Sequence, residues 1–220
     1  MKVIITGATG MVGEGVLLEC LAHPEVTAVL LVSRKHYEMN HPKLQEYLIP
    51  DFMKLDEFTA QLSGYDACFF CAGVSSIGMK EADYSRVTYD LTLHFAGTLA
   101  KLNPGMVFTY VSGSLTDSTE KGRIMWARVK GRTENALMKL PFKGVYNFRP
   151  GFMDPTPGQK SIKPAYKMIK VLSPVLRLFF PKRVLTLHQV GLAMIHCVLR
   201  GYPKQILEIG DIKMAATPAS

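Results

Sequence analysis

Apolar and polar residues fall along this chain in blocks whose period switches between that of a strand and that of a helix. Val3, Ile4 and Ile5 form a short apolar run with β-branched bias, the mark of a strand buried on both faces. From Met11 to Ala22 the spacing becomes helical, with Val12, Val16, Leu17 and Leu21 in register and no proline before Pro24. Residues 26–32 repeat the buried-strand pattern, and 44–49 predict a shorter, edge-like strand before Pro50. Further strands are expected over 66–73, 106–111, 145–148 and 205–209. Helices are expected over 81–102, where Tyr84, Val87, Leu91 and Phe95 share one side, over 121–140, and over 186–199. Strands alternating with helices across short loops predict an α/β fold: a doubly wound parallel β-sheet with helices on both faces. The tail, 215–220, reads as loose.

The junction between the first strand and the first helix carries the first chemical signal. Gly7, Thr9, Gly10, Met11, Val12 and Gly13 belong to a G-x-x-G-x-x-G turn that opens the helix. Backbone N–H groups and the positive end of the helix dipole would face an anion there, and glycines let the backbone come close to it. That placement predicts a Rossmann-type domain over residues 1–220 with a dinucleotide pyrophosphate on the turn. The end of the second strand would meet the adenosine ribose. An acid there would suit the 2′-hydroxyl of NAD, but Ser33, Arg34 and Lys35 offer a hydroxyl and two cations. The expected cofactor is therefore NADP, with NAD less favoured. Cys71, Ala72 and Gly73, at the end of the fourth strand, would approach the same ligand.

Composition narrows the class without changing it. The chain has 220 residues, 48% hydrophobic and 20% charged, enough for one sizeable core. No run of apolar residues is long enough to span a membrane. A cleaved signal would remove the glycine turn, and four irregularly spaced cysteines suggest a reducing compartment, so a cytoplasmic location is expected. Cys68 and Cys71 are three apart on a strand and face opposite sides, and no histidine pair has ligand spacing, so no metal site is expected. The net charge of +8 is unevenly spread. No acidic residue stands between Asp154 and Glu208, whereas nine cations do, from Lys160 to Lys204.

TGATGMVG, the Ala72-Gly73 strand end, YVSGS, a W-x-x-x-K pair and NFRPG follow one another in order. In these motifs, and in RVKGRTEN, the chain resembles the short-chain dehydrogenase/reductase superfamily in its extended or atypical branch. It is similar to small NAD(P)-binding proteins of the Tat-interacting-protein-like and NmrA-like kind, over about residues 1–210. The resemblance implies a site of serine, tyrosine and lysine, the last two one helical turn apart. Carried over by position, Lys130 is the lysine, Ser114 the serine facing substrate, and Ser112 a serine on the cofactor side. Trp126 stands where the tyrosine belongs. It also implies that Asp51 and Phe52 lie near the adenine and that Pro150 and Gly151 border the cofactor. The region 151–185 would form a small C-terminal substrate lid.

An indole N–H donates a hydrogen bond but has no accessible pKa, so Trp126 cannot pass a proton. Tyr84, Tyr89, Tyr110 or water could supply it, or the acceptor could be one that needs no tyrosine. The expected function is an NADP(H)-dependent oxidoreductase acting on a small carbonyl or quinone-like acceptor. A catalytically silent nucleotide-sensing module is the alternative. An epimerase or dehydratase reaction ranks third, because it too needs the tyrosine. Lys160, Lys163, Lys167 and Lys170 share a helical face, so 160–183 reads as a basic lid rim with weak membrane-surface contact as a further possibility. No nucleic-acid motif accompanies it, so no nucleic-acid partner is expected.

Overall fold

The computed structural model describes residues 1–161 and 184–218. Its strands are β1 (Lys2–Thr6), β2 (Ala28–Ser33), β3 (Leu44–Leu48), β4 (Ala67–Phe70), β5 (Val107–Val111), β6 (Gly144–Phe148), β7 (Phe152–Asp154), β8 (Val184–Thr186) and β9 (Ile206–Leu207). Seven of them form one parallel sheet in the order β3-β2-β1-β4-β5-β6-β9. β1 is central, and Ile5 pairs with Leu31 on one side and Phe69 on the other. The order reverses between β1 and β4, and that reversal opens a crevice at the carboxyl ends of the strands. β7 and β8 pair in parallel, Phe152 opposite Val184, so the two described ends of 151–185 meet. The basic residues Lys163, Lys167 and Lys170 lie outside the described residues. Lys160 lies within them and is exposed.

Both faces of the sheet are apolar because its strands are sandwiched, and two cores result. On one face α1 (Met11–Ala22), α5 (Leu187–Arg200) and α6 (Ile209–Ala216) cover Val3, Ile5, Leu31 and Phe69. On the other, Phe70 touches Phe95, Phe108 and Tyr110 at ring separations of 5.3–6.3 Å. Phe95 comes from α3 (Leu91–Leu102), while α2 (Glu81–Ser85) joins α3 through a π-helical turn, Arg86–Asp90. The helix expected over 81–102 is therefore continuous but locally widened, a feature common beside functional sites.

Three elements depart from expectation. Helix α4 (Met125–Leu137) begins four residues late, because the Asp117 carboxylate accepts the N–H groups of Thr119 and Gly122 and fixes 117–122 as a turn. The tail is not loose at its start: Ile212, Ala215 and Ala216 of α6 are buried. Sequence periodicity missed so short a helix, which packing rather than length stabilises. Finally, Phe52–Gln61 forms 3₁₀ turns, capped where the Asp51 carboxylate accepts the Met53 N–H at 2.9 Å.

Candidate active site

The glycine turn is shaped by close approach. Gly7 has φ +76°, and a Cβ on it would stand 2.6 Å from the backbone of Cys71 and Ala72. A Cβ on Gly13 would come within 2.2 Å of the Gly7 carbonyl oxygen. These two glycines let β1, the end of β4 and the first turn of α1 touch. Gly10 is different: its Cβ would meet only the Gly7 carbonyl, at 3.3 Å, and its own N–H closes the turn onto that oxygen at 2.9 Å. The Thr6 hydroxyl accepts the Ala72 N–H at 3.2 Å and ties β4 to β1.

A cleft of about 460 Å³ opens over this turn. Gly7, Thr9 and Gly10 line it, as do Ser33, Arg34 and Lys35 from the end of β2, Phe52, and Cys71, Ala72 and Gly73 from the end of β4. Ten sequence-expected residues thus meet in one hollow. Met11, Val12 and Gly13 stand behind the turn on α1, and the Asp51 carboxylate is engaged in its cap beside Phe52. Arg34 and Lys35 are exposed and form no ion pair among the described residues. Burial pushes the Cys71 thiol up to about 12, which leaves it unreactive at neutral pH.

Ala72 and Gly73 also border a smaller pit, walled by Tyr84, Thr88, Tyr110 and Lys130. The pit shares those two residues with the cleft and has a volume of about 10 Å³, room for about one water. Lys130 Nζ donates to the Ser112 carbonyl, and burial pulls its ammonium down to about 8 against the opposing charge of Glu134. Burial raises both phenols, Tyr84 and Tyr110, above the ordinary tyrosine range. Both stay protonated at neutral pH, and the same shift makes them weaker proton donors than an ordinary tyrosine.

The serines divide sharply. Ser112 is buried, and its hydroxyl has the Glu134 carboxylate and, at 3.1 Å, the Phe148 carbonyl as partners. Glu134 is itself fully buried and is bridged by Arg149, whose guanidinium also reaches Glu208 at 3.1 Å and the Ser118 hydroxyl. Ser112 is thus enclosed by a buried network. Ser114 is only half-buried, and its N–H donates to the Pro150 carbonyl at 2.9 Å. Between and after them, Gly113 (φ 137°) and the exposed Leu115 (φ 71°) hold a left-handed loop, strain of the kind that sits at functional loops. Pro150 supports that loop through its carbonyl, and neither it nor Gly151 lines the cleft. Trp126 lies one turn before Lys130 on α4, half-buried, outside the residues that wall the pit.

Sequence reasoning gave Glu134, Arg149 and Glu46 no role. The first two stood inside quoted motifs, but a buried pair that joins α4 to the end of β6 is a long-range contact with no local signal. Glu46 sits in an unremarkable edge strand.

The sheet order, the glycine turn at the reversal point and a lysine at the end of the crevice define a Rossmann-type α/β protein of the short-chain dehydrogenase kind. The chain belongs to the NAD dependent epimerase/dehydratase family, whose profile matches residues 3–120. It is 29% identical to Protein HTATIP2 of Rattus norvegicus over 154 residues, 69% of this chain and 62% of the rat protein. The match thus spans less than two thirds of that relative's length. Protein fmp52-1, mitochondrial, of Aspergillus terreus is 26% identical over 164 residues, 70% of this chain and 68% of the fungal one. Among solved structures, the Bordetella bronchiseptica enzyme WbmF in complex with NAD+ superposes with a TM-score of 0.64 at 17% identity. That match covers 98% of this chain and 76% of WbmF. At that identity the likeness establishes the fold.

No described helix is long and apolar enough to cross a membrane.

Proposed function

We propose that the protein binds NADP(H) in the cleft and acts as an oxidoreductase on a small carbonyl or quinone-like acceptor. The observation that carries this reading is the pair of exposed cations Arg34 and Lys35, which form no ion pair among the described residues. They line the same hollow as Gly7 and Gly10, where the second strand ends. The residues fit such a group. Gly7, Thr9 and Gly10 line the cleft where α1 opens, and no acid among the described residues lines it to oppose phosphate. The relatives fit as well: the family takes NAD by its description, and WbmF was solved with NAD+.

A nicotinamide cofactor supplies hydride transfer when bound. The amides opening α1 hold the pyrophosphate, and Arg34 takes the 2′-phosphate. Lys130 would anchor the ribose hydroxyls, and Ser114, two residues along from the carbonyl that Lys130 meets, would donate to the acceptor oxygen. Trp126 stands one turn before Lys130 without a proton to relay, and the proton would come from water, because burial makes Tyr84 and Tyr110 weaker acids. A reducing compartment such as the cytosol suits the four unbridged cysteines.

Isothermal titration tests the reading. NADPH should bind at least about tenfold more tightly than NADH, and Arg34→Ala should bring the two together. Equal affinities for the wild-type protein would overturn it. The indole at the tyrosine position favours a second reading, a nucleotide-sensing module without turnover. Oxidation of NADPH by a simple benzoquinone at enzymatic rates would exclude that alternative.

A further inference from the structure

Arg34 and Lys35 are held from behind by an acid on the neighbouring strand. Glu46 stands on β3, the edge of the sheet, yet its carboxylate gathers the segment that follows β2. Oε1 accepts from the Ser33 hydroxyl at 3.1 Å and from the Tyr37 N–H at 2.8 Å. Oε2 meets the His36 ring at Nδ1. The Ser33 hydroxyl also lies 2.7 Å from the Lys35 carbonyl. A second acid completes the anchorage: Glu14, buried in the first turn of α1, accepts from the Tyr37 hydroxyl at 3.0 Å.

Residues 33, 36 and 37 are thereby fastened, while the two between them are exposed and line the cleft. Glu46 itself does not line it. An acid near the ribose end would ordinarily argue for NAD, because a carboxylate facing the ribose rejects a 2′-phosphate. Here the carboxylate already has three protein partners and is turned into the loop. Its effect is therefore to fix the backbone from which two long cationic side chains reach the ligand. A loop ordered in advance loses less entropy when the ligand arrives.

We propose that Glu46 is a positioning residue for coenzyme choice, which pre-organises Arg34 and Lys35 for the 2′-phosphate of an adenine dinucleotide. The inference rests on the NADP(H) reading above.

The test is titration of NADPH and NADH into the wild-type protein, Glu46→Ala and Glu46→Gln. Glu46→Ala should weaken NADPH binding by about tenfold and leave NADH within about twofold, so that the ratio of affinities collapses. Glu46→Gln keeps an acceptor for the Tyr37 N–H and should preserve the preference. NADH binding is the readout that a general folding defect would move and a positioning role would not. Equal losses of both ligands in Glu46→Ala, or an unchanged ratio, overturn the inference while leaving the cofactor reading intact. So does a gain in NADPH affinity, which would mean that the carboxylate only repels phosphate. A Glu46→Gln variant that loses the preference as fully as Glu46→Ala overturns it as well. A wild-type protein that binds both coenzymes alike overturns the cofactor reading and this inference together.

Discussion

At the end of β1 the site is made of backbone, and at the end of β5 it is made of side chains. The first region works through the absence of Cβ atoms: Gly7 and Gly13 let three segments touch, and Gly7, Thr9 and Gly10 line the cleft. The second works through charge. Ser112, Glu134 and Arg149 form a buried chain of partners that runs out to the exposed Glu208, under the loop that carries Ser114 and with Lys130 beside it. A backbone site tolerates changes that keep the chain's path. A charged network fails when one member leaves, because its partners stay buried.

The largest expected effect follows from that contrast. Arg149→Met leaves the fully buried Glu134 without its cation and should lower the unfolding free energy by about 3–5 kcal/mol. Urea denaturation measures it. The double variant Glu134→Leu with Arg149→Met should recover most of the loss, since it removes the stranded charge. No recovery would mean that the network acts by packing rather than by charge, and the contrast between the two regions would weaken.

The glycine turn should divide within itself. Gly13→Ala forces a Cβ to 2.2 Å from the Gly7 carbonyl oxygen, an overlap that backbone must relieve. A loss of about 1–3 kcal/mol in stability is expected, together with loss of dinucleotide binding. Gly10→Ala meets that oxygen only at 3.3 Å, in an extended conformation open to alanine. It should change stability by less than about 1 kcal/mol while still weakening the dinucleotide. Equal stability losses in both variants would show that Gly10 is as structural as Gly13.

These regions also differ in how much of them the sequence discloses. Val3 to Gly13 is contiguous, so strand period, glycine spacing and helix period lie within one short stretch and announce the turn. The ends of β2 and β4 followed from it, because the order of a doubly wound sheet fixes which strand ends share the crevice with β1. The partners of Ser112 lie far along the chain, on α4 and beyond β6, and only folding brings them together. Glu46 was hidden for the same reason: its carboxylate acts on residues 33–37 from another strand. The late start of α4 and the buried turn of α6 escaped because an Asp117 turn and a short apolar face leave weak periodic signals.

Backbone and charge meet at Lys130. Lys130 donates to a carbonyl of the β5 loop from a position where burial disfavours its charge. Its proton is held less tightly in the folded chain, near pH 8, than in the unfolded chain, where an ordinary lysine titrates above pH 10. Below pH 8 both states carry the proton and the folded state bears the burden of burying it. As the pH rises from about 8 toward the unfolded value, the folded state sheds the proton first, so the unfolding free energy should rise across that window. Lys130→Met removes the titrating group, and its stability should lack that rise, a difference read from urea unfolding at a series of pH values. Parallel curves for the two proteins would place the ammonium in solvent and make the lysine end of the crevice as open as the cleft over the glycine turn.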